Sequence, residues 1–274
     1  NIYMIKQAII PLAGLGTRLL PLTSVFAKEL LPINGKPGIE YILDECIDAG
    51  IKEVIFIISK KKLMIKKYFY NDKFYKDIIK RKKDPRIIKE YKKILKYKKM
   101  IKFVFQDKPL GTGDAVLKTK KYIKDKHFLM LLPDDLIINK NCSRSMISIH
   151  KKFNSSVMAS MKVNRNDVSR WGIYNIKNKI DKINFVIKNV VEKPNVKQAP
   201  SNNAVIGRYI LPKKIFNKLI NLKPTKGGEI HITDAIQSLI NDDIKFIGHN
   251  FLGKYLDCGT MKGYINSTLE ISKK

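Results

Sequence analysis

Cysteine is scarce in this chain of 274 residues. Cys46, Cys142 and Cys258 are the three present, an odd number, widely spaced and without a CxxC pair. That pattern argues against a disulfide framework or a cysteine-based zinc site and fits reduced thiols in a cytoplasmic protein. Long apolar runs are also missing. Phe128 to Pro133 is among the longest and falls far short of the roughly 20 residues that span a bilayer, so no membrane segment is expected. The early run Ala8 to Leu12 is too short for the core of a secretion signal. Acidic residues are few, with 24 Asp and Glu against 54 Lys and Arg, giving a formal net charge of +30. Arginine is sparse within that excess, confined to Arg18, Arg81, Arg86, Arg144, Arg165, Arg170 and Arg208. Base readout leans on arginine forks, and RNP, KH, zinc-finger and helix-turn-helix signatures are absent. The charge therefore reads as solvated lysine-rich faces, densest from Lys60 to Lys102, rather than as a nucleic-acid surface. Hydrophobic residues at 44% and charged residues at 28% exclude wholly disordered and collagen-like chains.

What is present is an alternation of short apolar runs with amphipathic stretches. Gln7 to Leu12, Glu53 to Ser59, Lys102 to Gln106 and His127 to Leu132 read as strands, each followed by a helix-like segment. The clearest helix is Ile39 to Ala49, closed by Gly50. This is the pattern of βαβ units on a parallel sheet, whose ligands bind at the carboxyl ends of the strands. After about Asn154 the pattern changes. Ser156–Val163, Phe185–Glu192 and Ala204–Leu211 read as strands, with polar hairpin-like connections around Asn175–Asn184. Helices follow at Lys213–Asn221 and Thr233–Asn241, then a strand near Lys245–Ile247 and a last helix over Thr260–Ile271. One α/β domain, 1–274, is the economical division, with a first part to about 153 and a second from about 154.

The strongest local signal is Pro11-Leu12-Ala13-Gly14-Leu15-Gly16-Thr17-Arg18, followed ten residues after Arg18 by Lys28-Glu29-Leu30-Leu31-Pro32. Two glycines let backbone amides approach a polyphosphate, and Arg18 and Lys28 supply positive charge for its oxygens. The loop is neither a Walker loop nor a Rossmann fingerprint, since the lysine-serine or third-glycine positions are not filled.

These blocks resemble the sugar-phosphate nucleotidyltransferases, and within them the bacterial UTP–glucose-1-phosphate uridylyltransferases. The resemblance runs on through Gln106, the Pro109-Leu110-Gly111-Thr112-Gly113-Asp114 stretch, Leu132-Pro133-Asp134-Asp135, Trp171-Gly172-Ile173, Val190-Val191-Glu192-Lys193-Pro194, Gly207-Arg208-Tyr209, Glu229-Ile230-His231 and Asp257-Cys258-Gly259. It implies a three-layer, Rossmann-like mixed (mostly parallel) sheet with helices on both faces and a smaller β-rich sugar-binding elaboration. It further implies nucleotide binding in 1–153 and sugar-phosphate binding in 154–274.

Position by position, the resemblance implies that Ala13, Gly14, Gly16, Gln106 and Gly111 hold the nucleotide. Arg18 and Lys28 serve catalysis, and Gly172, Glu192 and Lys193 bind the sugar phosphate. Asp134 and Asp257, with Asp135 the weaker candidate, hold Mg²⁺. Arg208 is expected to brace the pocket and His231 to be structural. The implied reaction joins UTP and glucose 1-phosphate into UDP-glucose and pyrophosphate in a homo-oligomer, dimer or tetramer. A dTTP or other-hexose-1-phosphate enzyme of the same fold is the nearest alternative, and a lysine-rich nucleic-acid-binding protein the distant one. Three departures stand out. Ala27 occupies the place of a proline, Thr112 and Asp114 replace Leu and His, and the chain stops soon after the Tyr264 helix.

Overall fold

The structure, a computed structural model, describes residues 4–225 and 227–273. Its first half runs through β1 (Gln7–Pro11), the short strands β2 (Pro32–Ile33) and β3 (Lys36–Pro37), α1 (Gly38–Asp48) and β4 (Glu53–Ile58). Next come α2 (Leu63–Tyr70), α3 (Asp72–Lys82), α4 (Pro85–Met100), β5 (Ile101–Phe105), α5 (Gly111–Leu117), β6 (His127–Leu131), β7 (Asp135–Ile138) and α6 (Cys142–Phe153). The second half contains β8 (Ser156–Lys162), β9 (Gly172–Lys179), β10 (Asn184–Glu192), β11 (Asn203–Pro212), α7 (Ile215–Asn221) and α8 (Ile232–Asn241). It closes with β12 (Phe246–Asn250), β13 (Lys254–Asp257) and α9 (Met261–Ser272).

Nine strands form one sheet in the order β5-β4-β1-β6-β11-β8-β12-β10-β9. β5, β4, β1 and β6 are mutually parallel, as apolar strands separated by helices require. β11 then enters antiparallel between β6 and β8, β12 lies parallel to β8, and β10 is antiparallel to both β12 and β9. β11 also touches β9 antiparallel, so among the described residues this sheet has four parallel and five antiparallel pairings. This corrects the expectation of a mostly parallel sheet. The cause is local: only residues 180–183 separate β9 from β10, too few for a crossover. The polar stretch 175–184, expected as a connection, is largely strand. β9 stands last in the sheet order; Ile173 and Tyr174 near its start are buried, but Lys177, Asn178 and Lys179 at its far end are exposed, so that half carries no apolar signal.

Period-two alternation divides the core between the two sides of the sheet. Ala8 and Ile10 join Val54, Phe56, Ile58 and helical residues such as Ile39, Leu43, Ile94 and Met146. Ile9 instead joins Ile55, Ile57, Met130 and the helical residues Val116, Phe216 and Ile236. The lysine-rich helices are solvated as expected: α3 buries none of its residues, and α4 buries Ile94, Tyr97 and Met100. The three cysteines are buried and unpaired, and no helix among the described residues is long and apolar enough to cross a membrane.

Candidate active site

The parallel strands deliver their carboxyl ends to one cavity of about 510 Å³. Ala13, Gly14 and Gly16 line it from the loop after β1, Lys28 and Glu29 from the turn that follows, Gln106 from the end of β5, Gly111 from the start of α5, and Asp134 from the end of β6. A crevice outside the carboxyl ends of parallel strands is where open α/β sheets place ligands. Gly16 adopts the left-handed conformation (φ 70°), and its carbonyl accepts hydrogen bonds from Leu19 N–H at 2.9 Å and Thr23 Oγ1 at 2.8 Å. These bonds tighten the chain immediately before Arg18.

Lys28 Nζ donates to Asp134 Oδ2 at 2.8 Å, and Arg18 Nη2 lies 3.3 Å from the same oxygen. Burial lowers the Lys28 pKa, but the Asp134 carboxylate, with Glu29 nearby, outweighs it and leaves the ammonium above its ordinary value. For Asp134 burial acts upward, and Lys28 with Arg18 more than reverses it, so the carboxyl sits below the usual range. Glu29, almost wholly buried, is fixed by Lys62 Nζ at 2.7 and 2.9 Å, which anchors the turn that aims Lys28.

Asp257 reaches the same place by a route the sequence did not disclose. β13 pairs with β7 as a short antiparallel ribbon in which Asp257 lies opposite Asp135, and Cys258 N–H donates to the Asp134 carbonyl at 2.8 Å. A methyl group on Gly259 would stand 2.9 Å from Asp134 Oδ2, 3.0 Å from Arg18 Nη2 and 3.2 Å from Asp257 Oδ1. Two carboxylates and a guanidinium therefore surround one point, which only the absence of a side chain keeps open. Asp135 is committed elsewhere. Its carboxylate accepts from Gly207 N–H at 2.8 Å and Tyr255 Oη at 2.7 Å, and burial pushes its pKa up.

Gln106 Nε2 donates to Asp114 Oδ2 at 2.8 Å and to the Gly111 carbonyl at 3.1 Å. The loop carrying Gly111 is stapled to residues 229–231 by Gly113 N–H to Ile230 O (2.7 Å) and Ile230 N–H to Leu110 O (2.8 Å). This approach explains the glycines: a Cβ on Gly111 would meet Ile230 O at 2.6 Å, and one on Gly113 would meet Ile230 Cγ2 at 2.7 Å.

Gly172, Glu192 and Lys193 are grouped together but do not line this cavity. Gly172 pairs with Glu192 across the β9–β10 hairpin, and a Cβ on Gly172 would stand 3.0 Å from Glu192 Oε2. Lys193 has a left-handed backbone (φ 43°), and its N–H donates to Trp171 O at 3.0 Å. Trp171 stacks edge-on against Tyr255 at 5.5 Å, and Tyr255 in turn holds Asp135, so the hairpin end abuts the ribbon that carries Asp257.

Arg208 is completely buried. It grips Glu45 through Nε (3.1 Å to each oxygen) and Nη2 (2.8 Å), and it donates to the carbonyls of Leu132 (3.1 Å), Gly207 (3.0 Å) and Asp135 (2.6 Å). It thereby ties down both ends of the Pro133–Asp134 turn. His231, expected to be structural, lines the cavity with Glu229 and Thr112, its Nδ1 4.0 Å from Glu229 Oε2. Its place beside Gly111 comes from the loop stapling, which a reading of single motifs does not contain.

Comparison with known proteins gives the family of the chain. Residues 7–274 match the model of the nucleotidyl transferase family. The UTP–glucose-1-phosphate uridylyltransferase of Bacillus subtilis is 35% identical over 274 residues, covering 98% of this chain and 91% of that protein. A crystal structure of a UDP-glucose pyrophosphorylase complexed with UDP-glucose superposes with a TM-score of 0.86 at 35% identity, covering 98% of this chain and 99% of that one. A UTP-bound UGPase from Acinetobacter baumannii gives a TM-score of 0.90 at 33% identity, covering 98% and 93%. The resemblance drawn from the motifs thus extends over nearly the whole chain, which belongs to the nucleotidyl transferase family.

Proposed function

We propose that this protein is a UTP–glucose-1-phosphate uridylyltransferase, making UDP-glucose and pyrophosphate. The observation that carries the reading is that Asp134, which lines the strand-end cavity with Lys28, also gathers Arg18 and Asp257, two residues outside that lining. UTP lies in that cavity, its base and ribose against Ala13, Gly14, Gln106 and Gly111, and its triphosphate over Gly16. Glucose 1-phosphate lies toward the hairpin end, its hydroxyls on Glu192, its backbone-facing side on Gly172 and its phosphate paired with Lys193. In these terms residues 1–153 form the nucleotide-binding part and 154–274 the sugar-phosphate-binding part of a three-layer, Rossmann-like domain.

Asp134 and Asp257 supply hard oxygen donors that suit Mg²⁺. Among the described residues no group of three or more His, Cys, Asp or Glu side chains gathers to form a closed metal cage. An open pair of carboxylates fits an ion whose remaining ligands are phosphate and water oxygens. Bound there, the ion neutralises triphosphate charge. The chain's own residues do the rest. A phosphate monoester is largely dianionic near pH 7, so its oxygen is a competent nucleophile without a general base. That oxygen attacks the α-phosphorus of UTP in line. A new phosphorus–oxygen bond forms as the bond to the bridging α–β oxygen breaks, and that oxygen leaves on pyrophosphate. Lys28 and Arg18 neutralise the triphosphate and Lys193 the incoming phosphate, so two anions are held together long enough to react. No covalent enzyme intermediate is involved.

Two wider assignments accompany this reading. Buried unpaired thiols support a cytoplasmic location. Ile265 and Leu269, exposed one turn apart on α9, support a homo-oligomer, dimer or tetramer, which light scattering on the purified protein tests. The function itself is tested by pyrophosphate release from purified protein with Mg²⁺ and glucose 1-phosphate, comparing UTP, dTTP, ATP and GTP. Preference for UTP is expected, and turnover of none of the four contradicts the reading.

A further inference from the structure

The geometry points to Asp114 as the residue that makes the base pocket prefer uracil over cytosine, by locking the orientation of the Gln106 amide. This inference rests on the nucleotide placement proposed above and adds to it a residue at which the chain departs from the resemblance.

Gln106 is buried at the end of β5 and lines the cavity. An amide side chain can present either its oxygen or its nitrogen to a ligand, and which one is decided by its other neighbours. Here both neighbours accept. Asp114 Oδ2 lies 2.8 Å from Nε2 and the Gly111 carbonyl 3.1 Å, and neither group has a hydrogen to give when Asp114 is a carboxylate. Turning the amide over would set its oxygen against two oxygens. Both Nε2 hydrogens are therefore consumed within the protein. Oε1 makes no hydrogen bond among the described residues, and it is not among the enclosed atoms that lack a partner, so it stays open to the cavity. Lys118 Nζ, 3.6 Å from Asp114 Oδ1, offsets the carboxylate charge and leaves Oδ2 for Gln106. The Gly111 carbonyl is itself immobilised, because its loop is stapled to Ile230.

A pocket that offers only an acceptor at this point selects a base with a donor there. Uracil presents the N3–H of its imide, whereas cytosine presents a bare N3 whose lone pair opposes that of Oε1. The cost of such a mismatch is large in a buried site, because neither partner regains water. Asp114 touches neither substrate; it is a positioning residue.

The test is equilibrium binding of UMP and CMP to the purified wild-type protein and to Asp114→Asn and Asp114→Ser, paired with kcat/KM for UTP and CTP. The asparagine variant keeps size and replaces an obligate acceptor with a group that also donates. The serine variant guards against a fortuitous asparagine rotamer. The wild type is expected to favour UMP, and both variants to lose about tenfold of the UMP:CMP ratio, on the scale of one mispaired buried hydrogen bond. The kinetic loss is expected in KM rather than kcat, and thermal stability stays close to wild type. A wild type indifferent to the two bases, or variants retaining its ratio, overturns the inference. Binding is measured without turnover. A protein that releases pyrophosphate from UTP yet whose variants keep the ratio sinks this inference alone; one that shows the shift but no turnover sinks the proposed reaction alone.

Discussion

Lys28 Nζ and Asp134 Oδ2 form a 2.8 Å ion pair with both side chains mostly withdrawn from solvent. In the proposed reading each side chain stands in for what the other would meet when substrates bind: the ammonium for positive charge on the carboxylate, the carboxylate for a phosphate on the ammonium. On that reading Lys28→Ala removes a charge that acts on the reacting triphosphate. The expected result is a fall in kcat of at least about 100-fold, the scale of one lost electrostatic contact to a developing charge, with the fold retained. Steady-state pyrophosphate release together with a melting curve checks this.

Gly259→Ala addresses the junction of Asp134, Arg18 and Asp257. Its methyl group would intrude within 3.2 Å of all three, and the side chains must spread to admit it. The expected outcome is a higher Mg²⁺ concentration for half-maximal activity with little change in melting temperature. Unchanged Mg²⁺ dependence would show that the two carboxylates do not act as a unit.

The Arg208–Glu45 pair predicts a different phenotype. Removing one member of a buried ion pair strands the other, at a cost of about 3–5 kcal/mol. Glu45→Gln and Arg208→Met should each lower the melting temperature markedly. Arg208→Lys should not rescue stability, since a lysine cannot span Glu45 and three carbonyls.

His127 gives the pH dependence of stability. Burial, helped by the His150 ring 4.5 Å away and by Lys126, depresses its pKa to about 4 from the ordinary 6.5. Between those values the unfolded chain takes up a proton that the folded chain refuses. Its contribution to stability is therefore full above pH 6.5 and lost as pH falls toward 4. The melting temperature of the wild type should therefore fall more steeply than that of His127→Asn as the pH is lowered through this range, because the variant has no imidazole there to take up the proton; parallel curves would contradict the assignment.

The sequence made some of this legible and hid the rest for physical reasons. β1, the Gly14–Gly16 loop and Lys28 were readable because an apolar run, two glycines and a spaced lysine are local signals. Ala13, Gly14, Gly16, Gln106, Gly111, Lys28 and Asp134 do line one cavity. The convergence of Asp134 with Asp257 was not readable from spacing. It depends on a four-residue ribbon whose strands β7 and β13 are too short to show a period, and only the resemblance paired the two residues. Arg208 finds Glu45 163 positions away across the sheet, a pairing that no local pattern encodes. The separation of Gly172, Glu192 and Lys193 from the main cavity likewise follows from the antiparallel turn of the second half, where the sheet departs from the expected parallel order.

The most direct measurement is the Mg²⁺-dependent rate of pyrophosphate release from UTP and glucose 1-phosphate by Asp134→Asn and Asp257→Asn at saturating substrate. If a single cluster of charges gathers both phosphates, each variant, folded as judged by its melting curve, loses at least about 100-fold in kcat. Either variant turning over near the wild-type rate would contradict the account.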